Sequence, residues 1–259
     1  MRRFGVITLS FLIASPLLAQ TAPSKKSAAQ SAAKQLSPSD ELQQSIESAG
    51  NDRAALVRNL EAFLQKYPQA PERPQIFRAL VEACLQLRDN ARAASYAERL
   101  VSLAPEDMSI TLLTIQLLEK NGDSDALKRA VNYSSRVIEY VRNSSTDEKS
   151  PRVSPEEWST EKKRDESSLL LLRGRLESKL HDTTAARKDY EASYSLIPNS
   201  SAAQKIGELD ELDKNFNAAI KQYARAFALA ELSPKTDSRR ELRQKLGNVW
   251  RLAHGSEAG

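Results

Sequence analysis

A small residue that returns at a fixed spacing constrains this chain more than any other feature. Ala93, Ala126, Ala186 and Ala219 lie 33, 60 and 33 residues apart. This is a period near 34, with the middle interval enlarged by an insertion over Asn143–Ser168. The neighbours return too. Ala97 and Pro105 follow Ala93 at offsets 4 and 12, Tyr190 and Pro198 follow Ala186 at the same offsets, and Tyr223 and Ala226 follow Ala219 at 4 and 7. Gly174 and Gly207 each stand 12 residues ahead of their alanine. A unit of this length accommodates two helices and a short turn. One such hairpin cannot bury its own apolar stripe, whereas three or more stacked hairpins share a continuous core. Glycine in a helix interior costs about 1 kcal/mol relative to alanine. That cost is acceptable where a side chain would keep helix axes from approaching to about 8–10 Å. Tyr190 and Tyr223 are expected to fill the space between hairpins.

The punctuation between apolar stretches agrees with this reading. Leu, Ala, Glu, Lys, Arg and Gln, all good helix formers, dominate the chain, and strand-forming runs are weak. Asn51-Asp52 caps a helix running to Tyr67, ended by Pro68. Asp89-Asn90 separates Gln75–Leu87 from Ala91–Leu103. Pro105 opens the next helix at its first turn, where its missing N–H costs nothing. Asn121-Gly122-Asp123 divides Ile110–Lys120 from Asp125–Arg142. His181-Asp182 divides Leu169–Leu180 from Ala185–Leu196, with His181 expected to cap the exposed carbonyls of a helix end. Pro198-Asn199 and Lys214-Asn215 bound a further pair. Ser233-Pro234 precedes a last helix, Asp237–Ala253. Within the insertion, Ser154-Pro155-Glu156-Glu157 reads as a capping box, so a helix can start at Pro155 and continue into Leu169–Leu180. The expectation is an all-α chain, an α-solenoid of antiparallel helical hairpins.

With these residues in register, the chain resembles the tetratricopeptide repeat family. The most faithful units are Ser167–Pro198 and Ser200–Glu231. Pro74–Pro105 and Asp107–Ile138 follow the pattern more loosely, and a degenerate unit covers Ser39–Pro68. The resemblance implies a right-handed superhelix that binds a protein or peptide on its concave face. It also implies a set of inward-facing first-helix positions: Arg78, Glu82 and Gln86; Thr111, Ile115 and Glu119; Arg175 and Lys179; Gln204, Glu208 and Glu211. This set has mixed charge and does not reproduce the Lys/Asn/Arg arrangement that some members use to hold a C-terminal carboxylate. The stretch Glu61–Pro71 is similar to repeat boundaries in exported bacterial envelope proteins. Leu246–Ser256 is similar to a junction that, in some exported repeat proteins, leads into a thioredoxin-like domain.

The N-terminus points the same way. Arg2 and Arg3 precede an apolar stretch from Phe4 to Leu18, and Ala19 precedes a cut at Gln20, which is the layout of a secretory signal peptide. An uncleaved anchor is the alternative. Residues 1–19 are thus assigned as signal, 20–36 as a disordered linker rich in Ala, Ser, Lys and Gln, 37–232 as repeats with an insertion at 143–166, and 233–259 as a C-terminal capping helix and tail. Removing Arg2 and Arg3 takes Lys+Arg from 38 to 36 against 34 Asp+Glu, a net charge of +2. That is too near neutral to argue for nucleic acid or a membrane surface. No membrane span is expected after signal cleavage, and the expected location is periplasmic or secreted.

Chemistry is hard to place. The two histidines, His181 and His254, are too scattered for a metal site. Cys84 is the single cysteine and reads as a small buried apolar residue. G-x-S-x-G, H-E-x-x-H and phosphate-loop motifs are missing. The basic run Arg239, Arg240, Arg243 and Lys245 reads as a solvated face. No catalytic role, cofactor or metal is expected. The function expected is an exported scaffold or adaptor that mediates protein–protein interaction in the cell envelope. Two alternatives stay open: a helical N-terminal arm of a larger thioredoxin-like redox protein, and a self-assembling structural envelope subunit. The partner and the oligomeric state are not specified by the sequence.

Overall fold

The computed structural model describes residues 36–145, 152–230 and 236–255, and the side chains of all of these except 236–238. The expected signal segment, residues 20–35 of the linker, Ser233-Pro234 and the last four residues lie outside the described residues. So do 146–151 of the insertion.

Eleven α-helices are described: α1 (Pro38–Ala49), α2 (Arg53–Lys66), α3 (Arg73–Gln86), α4 (Asn90–Leu103), α5 (Met108–Asn121), α6 (Ser124–Asn143), α7 (Pro155–Lys179), α8 (Thr183–Leu196), α9 (Ser200–Leu212), α10 (Phe216–Ala230) and α11 (Thr236–His254). The closely packed pairs are consecutive helices, α1 on α2, α2 on α3, and so on to α11. This is the pattern of hairpins laid one after another rather than a bundle around one centre. Five hairpins, α1/α2 to α9/α10, are followed by α11.

Local chemistry sets the boundaries. Asp52, Asp89, Asp107, Asp123, Asp182 and Asn199 each accept a hydrogen bond from a backbone N–H in the first turn of the helix that follows. Ser154 and Glu157 complete the capping box that opens α7, with Pro155 in its first turn. Within every hairpin the turn passes through one left-handed residue: Gly50, Arg88, Gly122, His181 or Lys214, with φ between 51° and 77°. At the three non-glycine turns the following residue donates its N–H back into the first helix, Asp89 to Cys84, Asp182 to Glu177 and Asn215 to Asp210, at 2.8–3.0 Å. His181 therefore closes its helix through its backbone, and its side chain is exposed.

One boundary departs from the expectation. Pro105 does not open α5. It lies in the connection two residues before Asp107, and the helix begins at Met108 because Asp107 caps the N–H of Ile110 at 3.1 Å. A capping aspartate closer to the apolar run overrides the proline.

The repeating small residues are buried where the helices pack. Ala93, Ala126, Ala186 and Ala219 are all fully buried. Gly174 faces Tyr190, and Gly207 faces Tyr223, each within its own hairpin. The same tyrosines belong to apolar clusters that reach the next helix, Tyr190 with Ile206 and Leu209 of α9 in one, and Tyr223 with Leu242 and Val249 of α11 in another. Each ring thus fills a space within its hairpin and against the next. The hydroxyls are held 12 residues back on the partner helix, Tyr190 by Ser178 at 2.9 Å and Tyr223 by Glu211 at 2.8 Å. A buried tyrosine needs such a partner. Cys84 is buried within α3, and burial pushes its thiol up from its ordinary value.

Candidate partner-binding surface

The odd-numbered helices carry the residues expected to meet a partner. Arg78, Glu82 and Gln86 are exposed along α3, and Arg78 is ion-paired to Asp107 at the start of α5. Thr111 and Ile115 are not on the surface. They are 4% and 0% exposed, and Thr111 spends its hydroxyl on the Asp107 carbonyl at 3.0 Å. The reason lies in α5 itself, which is apolar on both sides of that arc and is clasped between α4 and α6. These two positions are packing positions, which corrects the sequence expectation.

The structure brings together Glu119, Arg175 and Lys179. Arg175 on α7 grips Glu119 on α5 with two parallel hydrogen bonds of 2.8 Å, and the Lys179 ammonium adds a third at 2.8 Å. The carboxylate is recessed, with its side chain 13% exposed, while Arg175 and Lys179 stand 49% and 45% exposed above it. Burial alone would push the Glu119 carboxyl up. The hydrogen bonds from Arg175 and Lys179 outweigh burial and hold it below the usual range. Fork-on-carboxylate pairing of this kind fixes geometry as well as charge.

A second group forms between α9 and α11. Glu208 accepts from Gln204 at 2.9 Å, Lys205 at 2.7 Å and Lys245 at 2.5 Å. Burial pushes Glu208 up, yet the two ammonium groups and the amide outweigh it and bring the carboxyl down to about 2. Glu211 is occupied by the Tyr223 hydroxyl. Ion pairs therefore join α3 to the start of α5, α5 to α7, and α9 to α11 across their exposed edge. Lys205 and Lys245 belong to this surface although the repeat pattern did not single them out for it. Lys245 comes from the terminal helix, beyond the last complete unit.

A separate polar cluster lies at the α6–α7–α8 junction. Arg173 holds Asp189 through Nε and Nη2 at 2.6 and 2.7 Å and the Ser135 hydroxyl through Nη1 at 3.0 Å. Glu177, one turn along α7, lies 3.9 Å from Arg173 Nε. No sequence signal marked this group, because it does not recur: 33 residues on, Arg173 becomes Ile206 and Asp189 becomes Gln222.

Among the described residues, no group of three or more His, Cys, Asp or Glu side chains is placed to hold a metal ion. Likewise, no described helix is long and apolar enough to cross a membrane.

No family model and no curated protein matches the sequence. Solved structures do match. A tetratricopeptide repeat protein from Parabacteroides merdae is 15% identical, with a TM-score of 0.51 over 83% of this chain and 77% of that one. A MamA protein is 11% identical, with a TM-score of 0.51 over 71% of this chain and 84% of its own. Acl4, an assembly chaperone of RpL4, is 15% identical, with a TM-score of 0.50 over 83% and 85%. At such identity the likeness is one of architecture, and the architecture of this chain, consecutive helical hairpins in register, is the tetratricopeptide-repeat fold.

Proposed function

We propose that the chain is an exported scaffold that holds a protein partner on the exposed edge of its odd-numbered helices, centred on Arg175 and Lys179. The observation that carries this reading is the Glu119–Arg175–Lys179 group. Two cations of α7 stand about half exposed over one recessed carboxylate of α5, and both helices are packed against α6. Such a group keeps donors available for a partner while its own geometry is already fixed, which lowers the ordering cost of binding. Arg78, Glu82, Gln86, Gln204 and Glu208 extend the edge to either side, with Glu211 held inward by Tyr223. One structural neighbour, Acl4, is an assembly chaperone of RpL4, which supports a protein as the kind of ligand. The signal-like start, residues 1–19, supports export to the periplasm or beyond, and no catalytic step is assigned.

Two measurements test this. The intact mass of the chain from the envelope fraction of its native cells should begin at Gln20. Pull-down from the same fraction should return a partner that is weakened about tenfold or more by the double substitution Arg175→Ala and Lys179→Ala, a loss expected when anchoring charges are removed from an interface. A mature chain found only in the cytoplasmic fraction, or no partner captured, would count against the reading.

A further inference from the structure

The Arg173–Glu177–Asp189 cluster is built in a way that an ordinary structural ion pair is not. Arg173 has its three hydrogen-bonding nitrogens committed to Asp189 and Ser135. At 3.9 Å its Nε is too far from Glu177 for a hydrogen bond. The Glu177 side chain is 13% exposed, and its Oε2 is sealed from solvent without a hydrogen-bond partner. Two carboxyls therefore face one guanidinium, and one negative charge is left over. An ionised carboxylate oxygen without a donor is expensive in a dry site. A protonated Glu177 is neutral and can donate its O–H to Asp189.

The other groups around it favour the same state. Asp189 on α8 and Asp182 at its cap repel a charge on Glu177, and only Arg173 opposes them among the causes that shift it. Tyr190 on α8 is itself pushed up by burial and stays neutral. From α6 the polar contact to the cluster is the Ser135 hydroxyl. Burial first, then the Asp189 charge, raise the Glu177 carboxyl from 4.5 to about 7.

We propose that Glu177 keeps its proton, turned toward Asp189, in the packed junction of α6, α7 and α8. Loss of that proton near neutrality loosens the junction, so the joint between the third and fourth hairpins responds to pH.

The test uses the full chain with carboxyl-labelled glutamate. The Glu177 carboxyl carbon, assigned by its disappearance in Glu177→Gln, should titrate near neutrality by NMR. Amides of α6 and α8, compared at matched intrinsic rates, should exchange about tenfold faster at high than at low pH across that midpoint, and Glu177→Gln should abolish the difference. Asp189→Asn frees Arg173 to pair with Glu177 and should move the midpoint down by about one pH unit or more. A Glu177 carbon that titrates near the ordinary 4.5 overturns the proposal whether or not either variant folds. Unchanged exchange at the junction, or an Asp189→Asn midpoint that stays put, overturns it as well.

Discussion

A methyl group built on Gly174 would lie 2.7 and 2.9 Å from two carbons of the Tyr190 ring and 3.2 Å from the Ala186 carbonyl. On Gly207 the corresponding contacts are 3.1 Å to the Tyr223 ring and 3.3 Å to Gln222 Cβ. Both glycines occupy the same repeat position and face a fully buried ring with an anchored hydroxyl, but the ring lies closer to Gly174, at under 3.0 Å, than to Gly207. Gly174→Ala should lower stability by about 1–3 kcal/mol, the overpacking cost exceeding the gain of about 1 kcal/mol in helix propensity. Gly207→Ala should lie within about 1 kcal/mol of the parent, because the two terms nearly cancel there. Urea midpoints at fixed pH distinguish the two. The small residues were legible beforehand because they recur. The Arg173 cluster was not, because a feature that occurs once leaves no period. Thr111 and Ile115 depart from the expectation because equal spacing does not give equal exposure on α5, which is apolar on more of its circumference than its counterparts.

At the scale of elements, the turns inside hairpins store conformational strain. Arg88, His181 and Lys214 sit at φ near +60°, a region that side chains other than glycine occupy at a cost of roughly 1 kcal/mol. The remaining two turns use Gly50 and Gly122 there. Arg88→Gly and Lys214→Gly should each raise the thermal midpoint, by an amount equivalent to about 0.5–1 kcal/mol, and the two gains should add because they lie in different hairpins. Calorimetry on the single and double variants checks both statements. Turn positions could be placed from Asp89-Asn90, His181-Asp182 and Lys214-Asn215, but their handedness could not, since none of the three carries the glycine that normally announces it. Between elements, the Glu119–Arg175 pair joins α5 to α7, and a double-mutant cycle with Glu119→Gln and Arg175→Gln should show a coupling of about 1 kcal/mol, as expected for a recessed carboxylate whose guanidinium partner is half exposed.

For the whole molecule, two carboxyls displaced in opposite directions shape the response to acid. Glu208 is held at about 2 in the fold against 4.5 when free, so its contribution is present above 4.5 and is lost as pH falls toward 2. Asp89, Asp107 and Glu119, also held below their ordinary values, act in the same sense. Glu177 is the reverse: held at about 7, it stabilises below 4.5 and loses that effect as pH climbs through 7. Stability should therefore peak near pH 5 and fall on either side, which urea midpoints from about pH 3 to about pH 8 would reveal. Lys245→Ala should blunt the acid limb by removing one of the two ammonium groups on Glu208, and Glu177→Gln should flatten the other. The stacked-hairpin plan itself was readable from four alanines, because each marks the same crossing of two helices. The polar links between hairpins were readable only in part, since side chains 56 or 60 residues apart, as Arg175 and Lys179 are from Glu119, meet only after the chain has folded.

Close packing between successive helices, tied here and there by an ion pair to the helix beyond, also sets how the molecule answers a pull. A load carried from α1 to α11 is then passed on mainly from each helix to the next, so extension should be shared out as many slight bends, and the array should yield hairpin by hairpin.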